Sequence, residues 1–438
     1  MKPDWIKLLQ QAFAYGAGAS GGKIVALLTV PLYLHYLTPA EYGLIGIAIA
    51  TITGARILGV VGGSGALGVR YFAANEREGR QHVVQSAFVL NVVSAIVCFF
   101  LVLVILALAF DSVTLPRSQT LVFLVLIALS VAFGIASEPL MLALQLKQQA
   151  SYVGSINFGA SVAGGLVGWA LLTLGYGVVS WAAAQLSGSL FTLYFSVSHS
   201  DFVLSKVRFS ATESRALIKT WRPLLPGAAL AAAVPVVTPY VLLHTGGAEA
   251  AGIFAVAGQF ASVVALLTGA LATAWLPYFQ SKVGQQIEWT PTYRRLLHGH
   301  LIVGATVCLL VLLVADDALR YLSADSYASA RGAIYPLVVA NVLASVWSFL
   351  LPGTYYAGHT STVSWTQLIG ALTTAIALTL HGSSLDAVAA SRALALGWVA
   401  IAVTQILINK TRQYQVHRFG HGWVVATILC MCTSLFVR

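Results

Sequence analysis

Long apolar runs recur along the whole chain, and they constrain its fold more than any other feature of the sequence. A run of about 17–25 apolar residues has the length that crosses a bilayer as a helix. The runs are continuous and do not alternate every second residue, which favours helices over the strands of a membrane barrel. The sequence predicts twelve spans, over residues 12–36, 43–67, 83–110, 119–143, 152–174, 178–198, 223–244, 251–275, 296–315, 331–356, 362–381 and 387–408.

The composition also indicates a protein that lies mostly within lipid. Of the 438 residues, 58% are hydrophobic and 9% are charged, whereas soluble domains carry about 25% charged residues. So few charges cannot cover the surface of a water-soluble fold of this size. A last apolar stretch, 423–437, is short for a full span. It is interpreted as a short thirteenth helix, an interfacial helix or a crossing cut short.

Positive charges are distributed unevenly between the predicted loops. If the N-terminus is cytoplasmic, seventeen of the 24 Lys and Arg residues lie in inside segments, three lie in outside segments and four lie within spans. Inside loops of membrane proteins are enriched in Lys and Arg, so this split predicts a multi-pass protein of the bacterial inner membrane with a cytoplasmic N-terminus. The net charge of +10 therefore reflects topology, and no basic run with interleaved aromatic residues indicates binding to nucleic acid.

The longest inside connection falls at the midpoint of the chain and divides the spans into six and six. We predict an N-terminal six-helix bundle (1–198), a cytoplasmic linker (199–222), a C-terminal six-helix bundle (223–408), and a basic loop with the short apolar segment (409–438). Each half enters from the same side of the membrane, because six is an even number. The expected fold is therefore all-α and polytopic, with two six-helix bundles related by a pseudo-two-fold axis along the membrane normal.

Two sequence echoes support this internal repeat. Residues 40–45 recur loosely as residues 248–254, with Gly43 and Gly252 separated by 209 positions. Tyr71 and Phe72 recur 207 positions later, as residues 278 and 279. Two matches at nearly the same offset indicate that the halves are related.

Helix-breaking residues occur in the corresponding first spans of the two halves. Gly22 and Pro31 interrupt span one, and Pro226, Gly227 and Pro235 interrupt span seven. Proline removes a backbone hydrogen bond and kinks a helix. Because interrupted helices in matching positions are typical of the moving parts of transporters, these five residues are predicted to act as hinges.

Charged residues inside the predicted spans are few and mostly cationic. An ionised side chain at mid-bilayer costs about 2.5–3.5 kcal/mol, so such residues are expected to face a water-filled interior. Arg331 and Arg392 lie near span ends and could instead reach the outer interface. Glu138 is interpreted as a proton or sodium carrier, or as the partner of a buried cation. The predicted cationic lumen consists of Lys23, Arg56, Arg331 and Arg392.

The sequence offers no pattern for covalent chemistry. It has no Walker loop for ATP, and the two cysteines at 430 and 432 are too close to form a metal-binding pair on a helix. A membrane polymerase or ligase would need a large outside loop with reactive residues, and the predicted outside loops are short. We therefore expect a transporter rather than an enzyme, with no cofactor and no metal site.

Several short segments, taken in order, resemble the polysaccharide transporter family of O-antigen (Wzx-type) flippases. This family belongs to the superfamily of multidrug and toxin extruders and lipid II flippases. The similar segments cover nearly the whole chain, at residues 34–43, 174–178, 222–227, 251–257, 276–279 and 324–328.

The resemblance implies translocation of an undecaprenyl-diphosphate-linked oligosaccharide, such as an O-antigen unit for lipopolysaccharide, between the leaflets of the inner membrane. It also implies a cationic lumen, coupling to a proton or sodium gradient, and cooperation with the polysaccharide polymerase machinery. The partners would be the polyprenyl-diphosphate-linked glycan and membrane lipid. The alternative is an ion-coupled multidrug or metabolite exporter of the same fold, although an exporter of cations would need acidic residues in its cleft.

Overall fold

The computed structural model describes most of the chain and shows it to be helical. The described residues contain helices, turns and irregular segments but no β-strand. They are residues 24–25, 27–74, 77–110, 116–147, 149–199, 209–223, 225–284, 290–323, 326–351, 354, 361–382 and 385–412.

The helices follow the order of the predicted spans. In chain order they are α1 (27–36), α2 (Pro39–Gly59), α3 (Gly63–Ala73), α4 (Arg77–Ala109), α5 (Arg117–Leu146), α6 (Ala150–Thr173), α7 (Val178–His199), α8 (Ala211–Trp221), α9 (Leu225–Thr245), α10 (Gly247–Gly284), α11 (Thr290–Ser323), α12 (Arg331–Leu350), α13 (Ser361–His381) and α14 (Ala387–Thr411).

Eleven helices of the described residues are long and apolar enough to cross a membrane. Each falls on one of the predicted spans from the second to the twelfth. The first predicted span, 12–36, is described only from residue 24 onward, and the apolar stretch 423–437 lies outside the described residues. The predicted all-α polytopic fold is confirmed.

The described residues form two compact units. Counting only described residues, the first unit lies within 17–37 and 47–232, and the second lies within 38–46 and 233–412. In the first unit α5 packs on α4 and α7, and α6 packs on α7. In the second unit α12 packs on α10 and α14, and it is the most buried of the candidate spans in the described part of the chain.

The first turn of α2 explains part of the segment 34–43. Thr38 precedes the helix and Pro39 begins it. The carboxylate of Glu41 accepts a hydrogen bond from the Thr38 amide at 2.8 Å, and the Glu41 amide donates to the Thr38 hydroxyl at 3.3 Å. This reciprocal capping box satisfies backbone amides that have no partner within the helix.

Tyrosine packing links this turn to the segment 324–328. Tyr42 and Tyr327 are both buried, and their rings meet edge to face with centroids 6.1 Å apart. Burial raises the pKa of the Tyr327 hydroxyl, and the neighbouring Tyr42 and Glu41 raise it further. The ring contact therefore joins two segments that lie almost 300 residues apart in the sequence.

Small residues allow the first turns of α2 and α10 to touch, all within the second unit. A Cβ atom at Gly43 would overlap the carbonyl oxygen of Ala248, and one at Gly252 would overlap the carbonyl oxygen of Pro39. One turn further along, a Cβ at Gly46 would lie 2.7 Å from that of Ala255. Close backbone approach through small residues is a common way for membrane helices to associate.

This contact is symmetric in the numbering of the chain. Gly43 and Gly252 differ by 209 positions, and so do the two carbonyl-bearing residues that they face, Pro39 and Ala248. The two glycines therefore make reciprocal contacts, each against the carbonyl group at the start of the other helix. The 209-residue echo predicted from the sequence thus marks a physical contact between these two helix starts.

We predict that Gly43→Ala destabilises the protein by about 1–3 kcal/mol, because the added methyl group forces α2 and α10 apart. The measurement is unfolding of the purified protein in detergent. Gly258→Ala is the matched control, since it lies on α10 with nothing within 4 Å of the added Cβ. Equal stability of the two variants would contradict the tight crossing.

Candidate functional site

The second predicted span is broken in the structure. The sequence predicts one span over 43–67, whereas α2 ends at Gly59 and α3 starts at Gly63. Gly62 and Gly63 have φ angles of 95° and 43°, in the left-handed region where glycine carries no steric penalty. The connection Val60–Val61–Gly62 is therefore a true interruption, and Arg56 lies in the last turn of α2.

Two polar side chains of α4 satisfy the backbone of this interruption. The Asn91 side chain accepts a hydrogen bond from the Val61 amide at 3.1 Å and donates one to the Val61 carbonyl at 2.9 Å. The Ser94 hydroxyl donates to the Gly59 carbonyl at 2.6 Å. Non-helical backbone is tolerated at membrane depth only where its polar groups find such partners. Asn91 and Ser94 thus allow α2 to end beside α4.

Arg56 packs directly on α5. A Cβ atom at Gly134 would lie 2.6 Å from a terminal guanidinium nitrogen of Arg56 and 3.0 Å from its Nε. The side chain of Arg56 remains exposed at the surface of the first unit. Since any larger residue at position 134 would occupy its place, Gly134 sets where the positive charge sits.

Arg56 lies far along α2. The predicted span 43–67 has Arg56 near its middle, whereas in the structure Arg56 is seventeen residues from the start of α2. At 1.5 Å per residue this is about 26 Å along the helix, close to the far edge of a hydrocarbon core about 30 Å thick. The negative end of the α2 dipole also favours a cation there.

Glu138 lies one turn beyond Gly134 on α5. Residues four apart share a helix face, so Arg56 and Glu138 lie along the same side of α5. Glu138 is partly buried and precedes Pro139, over which α5 continues without a break. Within the described residues neither Arg56 nor Glu138 forms an ion pair. The two interpretations of Glu138, ion carrier or partner of a cation, both stay predictions.

The other predicted lumen cations lie elsewhere. Arg331 is the first residue of α12 and is exposed, whereas Arg392 lies in the second turn of α14 and is partly buried. Both belong to the second unit, whereas Arg56 belongs to the first. Lys23 lies outside the described residues. The cationic lumen formed by these four residues stays a prediction.

The predicted hinge residues lie in or near helices. Pro31 is partly buried within α1, and Gly22 lies outside the described residues. Pro226 and Gly227 are in the first turn of α9, and Pro235 lies in its middle with its side chain exposed. The helix α9 is continuous through Pro235, so the hinge assignment remains a prediction from sequence.

A buried polar cluster in the second unit was missed by the sequence analysis. The Gln405 side-chain amide donates to the Thr354 hydroxyl at 2.9 Å and to Asn409 at 3.0 Å. Asn409 in turn donates to the Leu350 carbonyl at 3.0 Å, at the end of α12. The cluster resembles the Asn91 arrangement, because an asparagine again satisfies a helix end. Buried amides within apolar runs were the available signal for both.

The chain matches a known protein family over more than half of its length. Residues 8–282 match the family model described as polysaccharide biosynthesis protein, which is more than half of the chain. The chain belongs to this family. No curated protein matches the sequence at a significant level.

Solved structures of transporters share the fold over nearly the full length. The lipid II flippase MurJ in an inward closed conformation covers 97% of this chain and 91% of its own, with a TM-score of 0.73 and 13% identity. An inward-facing multidrug resistance MATE family transporter of the MOP superfamily covers 93% and 96%, with a TM-score of 0.68 and 15% identity. A MOP superfamily transporter from Pyrococcus furiosus has a TM-score of 0.59, 16% identity and coverage of 94% and 96%.

Because the sequence identities to these structures are only 13–16%, the structural similarity establishes the fold and nothing beyond it. The predicted two-bundle helical architecture is confirmed as that of the MOP superfamily transporters. Together with the eleven candidate spans of the described residues, the shared fold supports a multi-pass membrane protein.

We predict that Asn91→Ala destabilises the protein by about 1–3 kcal/mol, because it leaves the Val61 amide and carbonyl without partners. Asn341→Ala is the matched control, since within the described part of the chain Asn341 bonds to the Leu337 carbonyl one turn earlier in its own helix. Unfolding of both variants in detergent is compared with that of the unmodified protein. A loss at Asn91 no larger than the loss at Asn341 would contradict the proposed role of Asn91.

Proposed function

We propose that this chain is a flippase for an undecaprenyl-diphosphate-linked oligosaccharide, the repeat unit of an O-antigen or another surface polysaccharide. It would act in the bacterial inner membrane with its N-terminus in the cytoplasm. The family of polysaccharide biosynthesis proteins supports the cargo class. The observation that carries the proposal is the Arg56 guanidinium, placed beside Gly134 at the end of the broken span.

The sign of the charge within the spans supports an anionic cargo. Four of the five charged residues predicted within spans are cations, and Glu138 is the only acid among them. A diphosphate is a strong acceptor for charge-assisted hydrogen bonds from arginine and lysine. Lys23 and Arg56 are assigned here to hold the diphosphate, and Arg331 and Arg392 to continue the cationic path.

The level of Arg56 fits a lipid-borne diphosphate. With a cytoplasmic N-terminus, the second span runs from outside to inside, and its inner end carries Arg56. The diphosphate of a lipid-linked glycan lies at the headgroup level of its leaflet. Arg56 would therefore contact the diphosphate as it leaves the inner leaflet, before the sugars cross the hydrocarbon core.

The proposed cargo needs a protein path for a simple energetic reason. Each sugar hydroxyl left without a partner in hydrocarbon costs several kcal/mol, and an unpaired diphosphate costs far more. A polar route for the headgroup, with the polyprenyl tail left in lipid, removes most of this cost. Alternating access would release the headgroup on the other side, with no covalent step.

We assign Glu138 as the candidate for coupling to a proton or sodium gradient. It is partly buried on α5, on the same helix face as the glycine that positions Arg56. A change in its protonation or ion occupancy would change the net charge beside Arg56. The polysaccharide polymerase machinery is the expected downstream partner.

An ion-coupled multidrug or metabolite exporter remains the alternative function, and the MATE neighbours share its fold. An exporter of cationic drugs would need several acids facing its path. Glu138 is the only acid among the charged residues of the predicted spans, which falls short of that requirement. Drug susceptibility of the deletion strain distinguishes the two functions.

We predict that the chain restores surface polysaccharide in a strain that lacks its own flippase, and that Lys23→Gln with Arg56→Gln strongly reduces this restoration. Losing charge-assisted bonds to a diphosphate should lower the amount of surface polysaccharide roughly 10–100-fold. The readout is polysaccharide on gels, normalised to the amount of protein in the membrane.

The matched control keeps both charges, as Lys23→Arg with Arg56→Lys, and it should retain most of the activity. Normal polysaccharide in the neutral double variant would refute the role of these two cations. Failure of the unmodified chain to complement, together with changed drug susceptibility, would favour the exporter.

We predict that Gly134→Ala lowers polysaccharide export without lowering stability. The added methyl group displaces the Arg56 guanidinium, whereas alanine in a helix is favoured over glycine by about 0.5–1 kcal/mol. Export and melting temperature are measured on the same variant, with Gly258→Ala as the control for a glycine in open space. Unchanged export by Gly134→Ala would show that the position of the Arg56 charge is unimportant.

A further inference from the structure

The helix α8 lies in the predicted linker and is fixed to the first unit by one face. The Ser210 hydroxyl caps it by accepting from the Glu213 amide at 3.2 Å. The Glu213 carboxylate forms an ion pair with Arg70 of α3 at 2.7 Å. Leu217 is fully buried in a cluster with Leu67, Val83, Ala87 and Leu142. The helix is therefore a fixed part of this unit.

The opposite face of α8 carries a basic stripe, defined as Arg215, Lys219 and Arg222. These residues are spaced by four and three positions and share one face of the helix. All three are exposed, and with Ile218 and Pro223 they line a shallow groove of about 510 Å³. The only acid of α8, Glu213, is engaged with Arg70. The stripe thus presents three positive charges with no acid on the same face.

Two neighbouring cations of the first unit, Arg70 and Arg80, are already engaged. Arg70 pairs with Glu213, and Arg80 donates to the Ala74 carbonyl at 3.0 Å and lies over the Tyr71 ring. Within the described residues, the stripe forms no ion pair. Its charges are therefore available to an external anion.

The packing of α8 places the stripe at the membrane interface. The helix contacts α3 and α4, and its partner Arg70 lies in the last turn of α3. Its apolar contacts reach Val83 near the start of α4 and Leu142 near the end of α5. Three helices, α3, α4 and α5, thus begin or end beside α8. The ends of membrane-spanning helices lie near the level of the lipid phosphates.

We propose that the basic stripe of α8 is a binding site for the phosphate headgroups of anionic phospholipids. Lys and Arg near a membrane surface attract anionic lipids. Ile218, 40% exposed between the cations, and Pro223 offer apolar contact to the lipid beneath its headgroup. The groove lining offers no neutral amide or carboxylate to bind sugar hydroxyls, so it suits a simple phospholipid better than a glycan. This site does not depend on the cargo proposed above.

The test uses the full-length protein in nanodiscs and in detergent. Phosphatidylglycerol and phosphatidylcholine are added separately, and bound lipid is measured by native mass spectrometry alongside the melting temperature. The unmodified protein should retain phosphatidylglycerol preferentially and melt higher in its presence. Arg215→Gln with Lys219→Gln and Arg222→Gln should weaken this preference roughly 100-fold. The preference should also fall as salt rises.

The matched control neutralises three exposed basic residues on other helices, Arg320, Lys410 and Arg412, and should keep the preference. Equal melting of all variants in phosphatidylcholine shows that they fold. If the triple variant of α8 melts lower there, the three single variants replace it, and each should lose part of the preference.

Three results would overturn the proposal. One is an undiminished preference for phosphatidylglycerol in the triple variant and in every single variant. Another is stabilisation by inorganic diphosphate equal to that by phosphatidylglycerol, which would indicate a site for soluble anions. The third is displacement of phosphatidylglycerol by undecaprenyl diphosphate at one tenth of its concentration, which would indicate a cargo site.

Discussion

A backbone amide or carbonyl that faces hydrocarbon without a partner costs several kcal/mol, and the described helices and their interruptions reflect that constraint. Continuous helices satisfy it internally, and they account for nearly all of the described residues. Where α2 ends inside the predicted span, Asn91 and Ser94 supply the missing partners. Where α12 ends, Asn409 does the same for the Leu350 carbonyl. The candidate site exists because the interruption of α2 is paired in this way.

Small residues then determine how closely the helices pack. Gly43 and Gly252 bring the starts of α2 and α10 into backbone contact, and Gly134 leaves room for the guanidinium of Arg56. The lack of a side chain has different consequences at these positions. At Gly43 and Gly252 it permits close helix packing, whereas at Gly134 it determines where the Arg56 charge lies. Substitution at Gly43 should therefore affect stability, whereas substitution at Gly134 should affect transport.

Much of the fold could be predicted, since hydrophobic length and charge distribution act along the chain. The spans from the third to the twelfth fall on helices, because a bilayer needs a minimum apolar length regardless of neighbours. The sequence predicts a continuous second span, because Gly62 and Gly63 lie in an apolar run. Their positive φ angles, and the bonds from α4 to the neighbouring Val61 and Gly59, are visible only in the structure. The candidate site was less predictable. Arg56 was identified by its charge, but Gly134 and Asn91 have ordinary residue types whose importance arises from contacts with distant segments.

The sequence by itself determined that the chain is a multi-pass helical protein, that two pairs of similar segments recur at offsets of 209 and 207, and that the charges within the predicted spans are mainly cationic. These properties depend on residue type and spacing within each segment, because the bilayer imposes its requirements of apolar length and charge on each segment separately. Only the tertiary structure decided that equivalent residues of the repeats touch, that α2 breaks beside Asn91, and that α8 turns a basic stripe outward. Each of these depends on which side chains distant helices bring together, and packing between helices is not encoded in the periodicity of any one of them.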